Sequence, residues 1–111
     1  MTTYKRLRTD LKSYDRLNAD VSALYPACVA IARAAGRDDL SAELAKHADN
    51  PSNMFLNTAF QCVIFASRKW GLNLATDNAF WFMKSAVTPE MYNQLARDMN
   101  AVLDYIEANG L

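Results

Sequence analysis

Histidine occurs once in this chain of 111 residues, glutamate three times, and cysteine, glycine and proline two, three and three times. Each shortage removes a class of chemistry. A lone His47 excludes a conventional multi-histidine metal site and leaves little for general-base catalysis. Glu43 one turn earlier and Asp49 two residues later are accounted for by helix-surface electrostatics, because a stable site needs three or four converging ligands with partners behind them. Glu43, Glu90 and Glu107 belong to different helices or helix ends, so the repeated glutamates that hold metals inside helical bundles are missing. No G-x-x-x-x-G-K, G-x-G-x-x-G or G-x-S-x-G occurs, which removes phosphate-cradling loops and nucleophile elbows. The expectation is a protein with no catalytic residue, no metal site and no cofactor.

Cys28 and Cys62 are far apart and each sits among apolar helical neighbours, which is neither a C-x-x-C motif nor a secreted disulfide framework. They read as reduced core thiols of a cytoplasmic protein, with a single bridge between packed helices as the alternative. Pairing either with His47 as a catalytic dyad finds no support, since neither has a nearby cation or helix N-terminus to lower its pKa. Lys5, Arg6 and Arg8 open the chain, but Asp10, Lys12, Asp15 and Arg16 follow where a signal peptide needs an apolar run. The longest stretch free of Asp, Glu, Lys, Arg and His, from Asn50 to Ser67, carries too many Asn, Gln, Ser and Thr for a membrane span. Strand signals are lacking as well: nothing alternates apolar and polar for long, and Val63-Ile64 sits inside a helical pattern.

What is present is an apolar-rich, charge-balanced chain, 51% hydrophobic with 12 basic against 12 acidic residues, which suits one domain over 1–111 with one core and no staple. The fold class is all-α, a compact bundle of five to six helices. Tyr4, Leu7, Leu11 and Tyr14 recur at spacings of three and four, so a first helix is expected there, its stripe continuing through Leu17, Val21 and Leu24. Pro26 suits the first turn of a second helix that ends with Gly36 as the residue beyond its C-cap. Asp38 or Asp39 is the expected N-cap of a short third helix carrying Leu40, Leu44 and Ala48. A fourth, at about 53–70, is apolar around much of its circumference and belongs at the centre, ending at Gly71. Asp77 starts a fifth helix through Ala86. Thr88-Pro89-Glu90 starts a sixth that runs to Asn109, with Met91, Leu95, Met99, Val102, Leu103 and Ile106 on one arc and Gly110 closing it.

Two surfaces stand out as candidate binding sites. On a wheel of the fifth helix Trp81 falls among Asp77, Lys84 and Ser85, opposite Phe82, Met83 and Ala86, so it leans outward, and an exposed tryptophan beside polar groups is the composition of an interface hot spot. On the first helix Lys5, Arg8, Lys12 and Arg16 form one stripe, away from Leu7 and Leu11, that could meet phosphates or an acidic partner. Asp10, Asp15 and Asp20 dilute it, and a solvated surface face is the favoured explanation. Residues 43–55 resemble a helix-turn-helix only in outline, because the second helix would offer Met54, Phe55, Leu56 and Phe60 and no cation before Arg68. Tyr4, Leu7, Leu11, Tyr14, Asn18, Val21 and Tyr25 follow heptad spacing, which raises a homodimer beside the simpler account of packing within the chain.

The balance of these observations favours a non-catalytic module of regulatory, inhibitory or adaptor type that binds a larger protein, as small bacterial and phage-encoded factors do by analogy of class. A nucleic-acid-associated regulator using the basic stripe comes second, and an enzyme of unrecognised type third. The zero net charge is a sum of unlike ends: residues 1–16 hold five cations against two acids, and residues 85–111 hold one cation against four acids.

Overall fold

The computed structural model describes residues 7, 9, 24–46, 53–74 and 89–111, with side chains from residue 58 onward in 53–74 and from residue 92 onward in 89–111. Among the described residues the protein is all-α, with helices α1 (Tyr25–Ala34), α2 (Asp38–Ala45), α3 (Asn53–Trp70) and α4 (Pro89–Asn109). The expected second, third, fourth and sixth helices are these four. The expected fifth, 77–86, lies outside the described residues. The expected first helix is corrected where it can be seen: Leu7 and Thr9 are not helical. Leu7 spends its main-chain N–H and C=O on a distant asparagine side chain, as described below, instead of on a helical ladder.

Glycine ends α1 as its place in the sequence implies. Gly36 takes φ +76°, and the turn closes with Gly36 N–H on the Arg33 carbonyl and Arg37 N–H on the Ala32 carbonyl, at 3.1 and 2.8 Å. These two bonds are the Schellman closure, which satisfies carbonyls that have no partner inside the helix. A β-carbon would resist this left-handed geometry. The closures after α3 and α4 repeat the bond that reaches back five residues, from Leu72 N–H to the Ser67 carbonyl and from Leu111 N–H to the Ile106 carbonyl.

The start of α2 departs from expectation. Arg37 is its N-cap, and no side chain caps it, while Asp38 and Asp39 stand inside the first turn. The Schellman closure of α1 uses residues up to Arg37, so the chain re-enters a helix with no spare residue for an aspartate cap. Both carboxylates still sit at the positive end of the α2 dipole, where they are favourable.

One apolar cluster joins the helices, with Leu24, Ile31, Leu44, Val63, Leu95, Met99 and Val102 fully withdrawn from water. Burying each such side chain is worth about 1.5–3 kcal/mol before entropy is set against it. The centre is shared. Helix α3 packs on α1, α2 and α4, but α1 also packs on all three others. Its buried face is Ala27, Cys28, Ile31, Ala32 and Ala35, mostly small residues that let the helix sit close to its neighbours. Lys69 of α3 reaches the Ala35 carbonyl, and Cys62 lies near enough to Cys28 to shift its ionisation. Ala35 is the C-cap of α1 and Lys69 stands in the last turn of α3, so the C-terminal ends of the two helices meet.

Candidate partner-binding surface

Because the C-terminal ends of α1 and α3 meet, their negative dipole ends lie together, and cations stand in those turns: Arg33 in the last turn of α1, Arg68 and Lys69 in the last turn of α3. The Lys69 ammonium donates to the Ala35 carbonyl at 3.1 Å, tying the two ends. Phe65, half-buried, lies under both Lys69 and Arg37, with the Arg37 guanidinium carbon 4.6 Å and the Lys69 nitrogen 5.9 Å from the ring centroid. The edge of the same guanidinium faces Asp39: Nε donates to Oδ1 at 2.8 Å and Nη2 to Oδ2 at 2.7 Å. This bidentate pairing holds the Asp39 carboxyl at about 2, below its ordinary range, and raises the Arg37 pKa further.

On another side of α3, Trp70 stacks on Tyr105 of α4, with centroids 5.1 Å apart and planes 28° from parallel. Both rings are half-exposed, and Trp70 rests against the core. The chain after α3 is pinned close by, since the Ser67 hydroxyl accepts from Leu74 N–H at 3.2 Å. Stacking fixes the orientation of both rings before any partner arrives, so little side-chain entropy remains to be lost on binding.

A third feature lies further back along α4. Asn100 is 5% exposed, and its amide engages the main chain of Leu7 from both sides: Leu7 N–H donates to Oδ1 at 2.9 Å and Nδ2 donates to the Leu7 carbonyl at 3.1 Å. The Leu7 side chain packs on the core cluster.

The thiols are free and buried. Burial pushes Cys28 well above the ordinary thiol value, and the neighbouring Cys62 adds to the rise. Cys62 is pushed up to about 12, again chiefly by burial, with Arg37 opposing and Asp39 adding. Such thiols hold their protons and are poor nucleophiles and poor metal ligands. Among the described residues no group of three or more His, Cys, Asp or Glu comes together. No helix among them is long and apolar enough to cross a membrane.

Trp81, Asp77, Lys84 and Ser85 lie outside the described residues, as do Lys5, Arg8, Lys12, Arg16 and His47. Two members of the heptad series are described, and both Leu7 and Tyr25 pack against the chain's own core. Sequence reasoning passed over Trp70, Tyr105, Arg37 and Asn100. Trp70 carried a usable signal, since it directly precedes the glycine that ends α3 and so stands at a helix end. Asn100 carried none, lying within the apolar series Met99, Val102 and Leu103 where a polar residue looks like an interruption.

No family model matches this chain, and no curated protein or solved structure matches it.

Proposed function

We propose that this protein is a non-catalytic protein-binding module of regulatory, inhibitory or adaptor type, and that the Trp70–Tyr105 pair anchors its partner. The pair carries the reading. Tryptophan, tyrosine and arginine dominate the energetics of protein interfaces, and here two of them are half-exposed and already locked against each other. Arg37 and Phe65 extend the surface around the end of α3. Trp81, with Asp77, Lys84 and Ser85, stays in the proposal on the strength of its outward position on the helical wheel.

The test begins with the full-length tagged chain recovered from its source cells, its bound protein identified and the complex rebuilt from purified components. Trp70→Ala and Tyr105→Ala are expected to weaken that complex at least tenfold while keeping the helical circular-dichroism spectrum. A partner held equally well by both variants removes this surface from the reading. Retention of nucleic acid that falls steeply with salt, and is lost when Lys5, Arg8, Lys12 and Arg16 become Glu, would replace a protein partner by nucleic acid.

A further inference from the structure

Cys28 and Cys62 lie on the helix faces that meet where α1 and α3 are tied together. Cys28 precedes Ala35 by seven residues and Cys62 precedes Lys69 by seven. Seven residues are two helical turns, so each cysteine shares a face with the residue two turns on. Ala35 and Lys69 are themselves in contact, through the 3.1 Å bond that joins the helix ends. Both cysteines belong to the one apolar cluster and are closed off from water, and Cys62 is near enough to Cys28 to raise its pKa.

Helix packing brings such residues within reach of a bond. α1 packs on α3, and buried alanines are frequent on both, Ala27, Ala32 and Ala35 on the first and Ala59 and Ala66 on the second. Packed helix axes stand about 8–10 Å apart, nearer where side chains are small, and Cα atoms lie about 2.3 Å from their own axis. Facing Cα atoms are then about 3.5–5.5 Å apart, which overlaps the span of about 4.4–6.8 Å that a disulfide bridges. Burial meanwhile guards the pair, because an oxidant does not reach a thiol closed off from water and a protonated thiol does not attack a disulfide. Conversion waits for the two helices to part.

We propose that Cys28 and Cys62 are a latent redox pair, which a low-molecular-weight disulfide converts, through transient parting of α1 and α3, into one bond that ties these helices together. The inference is independent of the partner-binding reading. In the parted state one cysteine loses its proton to water, its sulfur attacks the small disulfide, and one small thiolate leaves and takes up a proton. The second cysteine then attacks the mixed disulfide, its proton passing to the second departing thiolate. The two protein sulfurs give up two electrons in all, and the small disulfide accepts them. The finished bond closes a loop that contains the whole of α2, so the reduced and bridged forms share one fold and differ in stability.

Oxidised glutathione added to the full-length wild type, followed by peptide mapping without reductant, tests the pair. The principal product is expected to be a Cys28–Cys62 bond within one chain, formed at least a hundredfold more slowly in native buffer than in denaturing urea and reversed by dithiothreitol. The bridged protein should keep the helical circular-dichroism spectrum and unfold at a guanidinium concentration about 1 M higher than the reduced protein. Glutathione adducts on the separate cysteines, or bonds between two chains, in place of the internal bond would show that the thiols do not meet and overturn the proposal. A bridged product with a lost helical spectrum or a lowered midpoint overturns it too, since the fold then rejects the bond. Conversion as fast in native buffer as in urea refutes the gating by helix parting, and no conversion in native buffer leaves no switch.

Discussion

Alkaline pH should destabilise this protein by an amount that the two buried thiols set. Both have folded-state pKa values raised above that of an unfolded cysteine, Cys62 to about 12 and Cys28 well above the ordinary value. A raised value means the folded state keeps its proton where the unfolded chain releases one. The contribution to stability is therefore whole below pH about 8.5, the free-thiol value, and is lost as pH climbs toward about 12. Each thiol that is ionised in the unfolded chain and protonated in the folded one costs about 1.4 kcal/mol per pH unit. At pH 10 that is about 2 kcal/mol for Cys62, with Cys28 acting in the same direction, a sizeable part of the 5–15 kcal/mol typical of a domain. The assay is guanidinium unfolding at pH 7, 8.5 and 10 under a phosphine reductant, followed by circular dichroism, for wild type and a Cys28→Ala, Cys62→Ala double variant. The double variant starts lower at pH 7 because the sulfur packing is gone, but its stability should fall by at least about 2 kcal/mol less between pH 7 and 10. Equal falls in the two proteins would show that the thiols ionise alike in both states and refute the reasoning.

Asp39 titrates in the opposite sense. Its carboxyl is lowered to about 2 by the Arg37 fork, so its contribution is present above the unfolded value near 4 and lost as pH falls toward about 2. Carbon-13 NMR of that carboxyl should show the low midpoint, and Arg37→Gln should return it to about 4. Leu95→Ala, at a side chain wholly withdrawn from water, should cost about 2–5 kcal/mol in denaturant unfolding with an unchanged m-value. Gly36→Ala should cost about 1–2 kcal/mol, from left-handed backbone strain alone, because the nearest atom its β-carbon would meet is the Lys69 ammonium at 4.0 Å. If Gly36→Ala proves neutral in the same unfolding assay, the positive φ is not what selects glycine there.

How far the sequence reached depends on the range of the forces involved. The spans Asn53–Trp70 and Pro89–Asn109 and the stop at Gly36 could be read directly, because caps, prolines, glycines and apolar periodicity act within one or two helical turns of the residues that carry them. The buried arc of α4, with Leu95, Met99, Val102, Leu103 and Ile106, followed from the same periodicity. The same local rules misplaced the cap of α2, where the closure of the preceding helix had already used the residue next in line. They also made Leu7 helical, because its spacing from Tyr4 and Leu11 says nothing of an asparagine 93 residues away. The joining of the C-terminal ends of α1 and α3, the stacking of Trp70 on Tyr105, the Arg37 fork over Phe65 and the Asn100 clamp exist only once distant faces have met. By itself the sequence determined the four described helices and the buried arc of the last of them, since both follow from local free-energy differences. Only the tertiary structure decided which polar and aromatic groups become a site, since a hydrogen bond or a stacked ring depends on a few ångströms between residues that no local pattern relates.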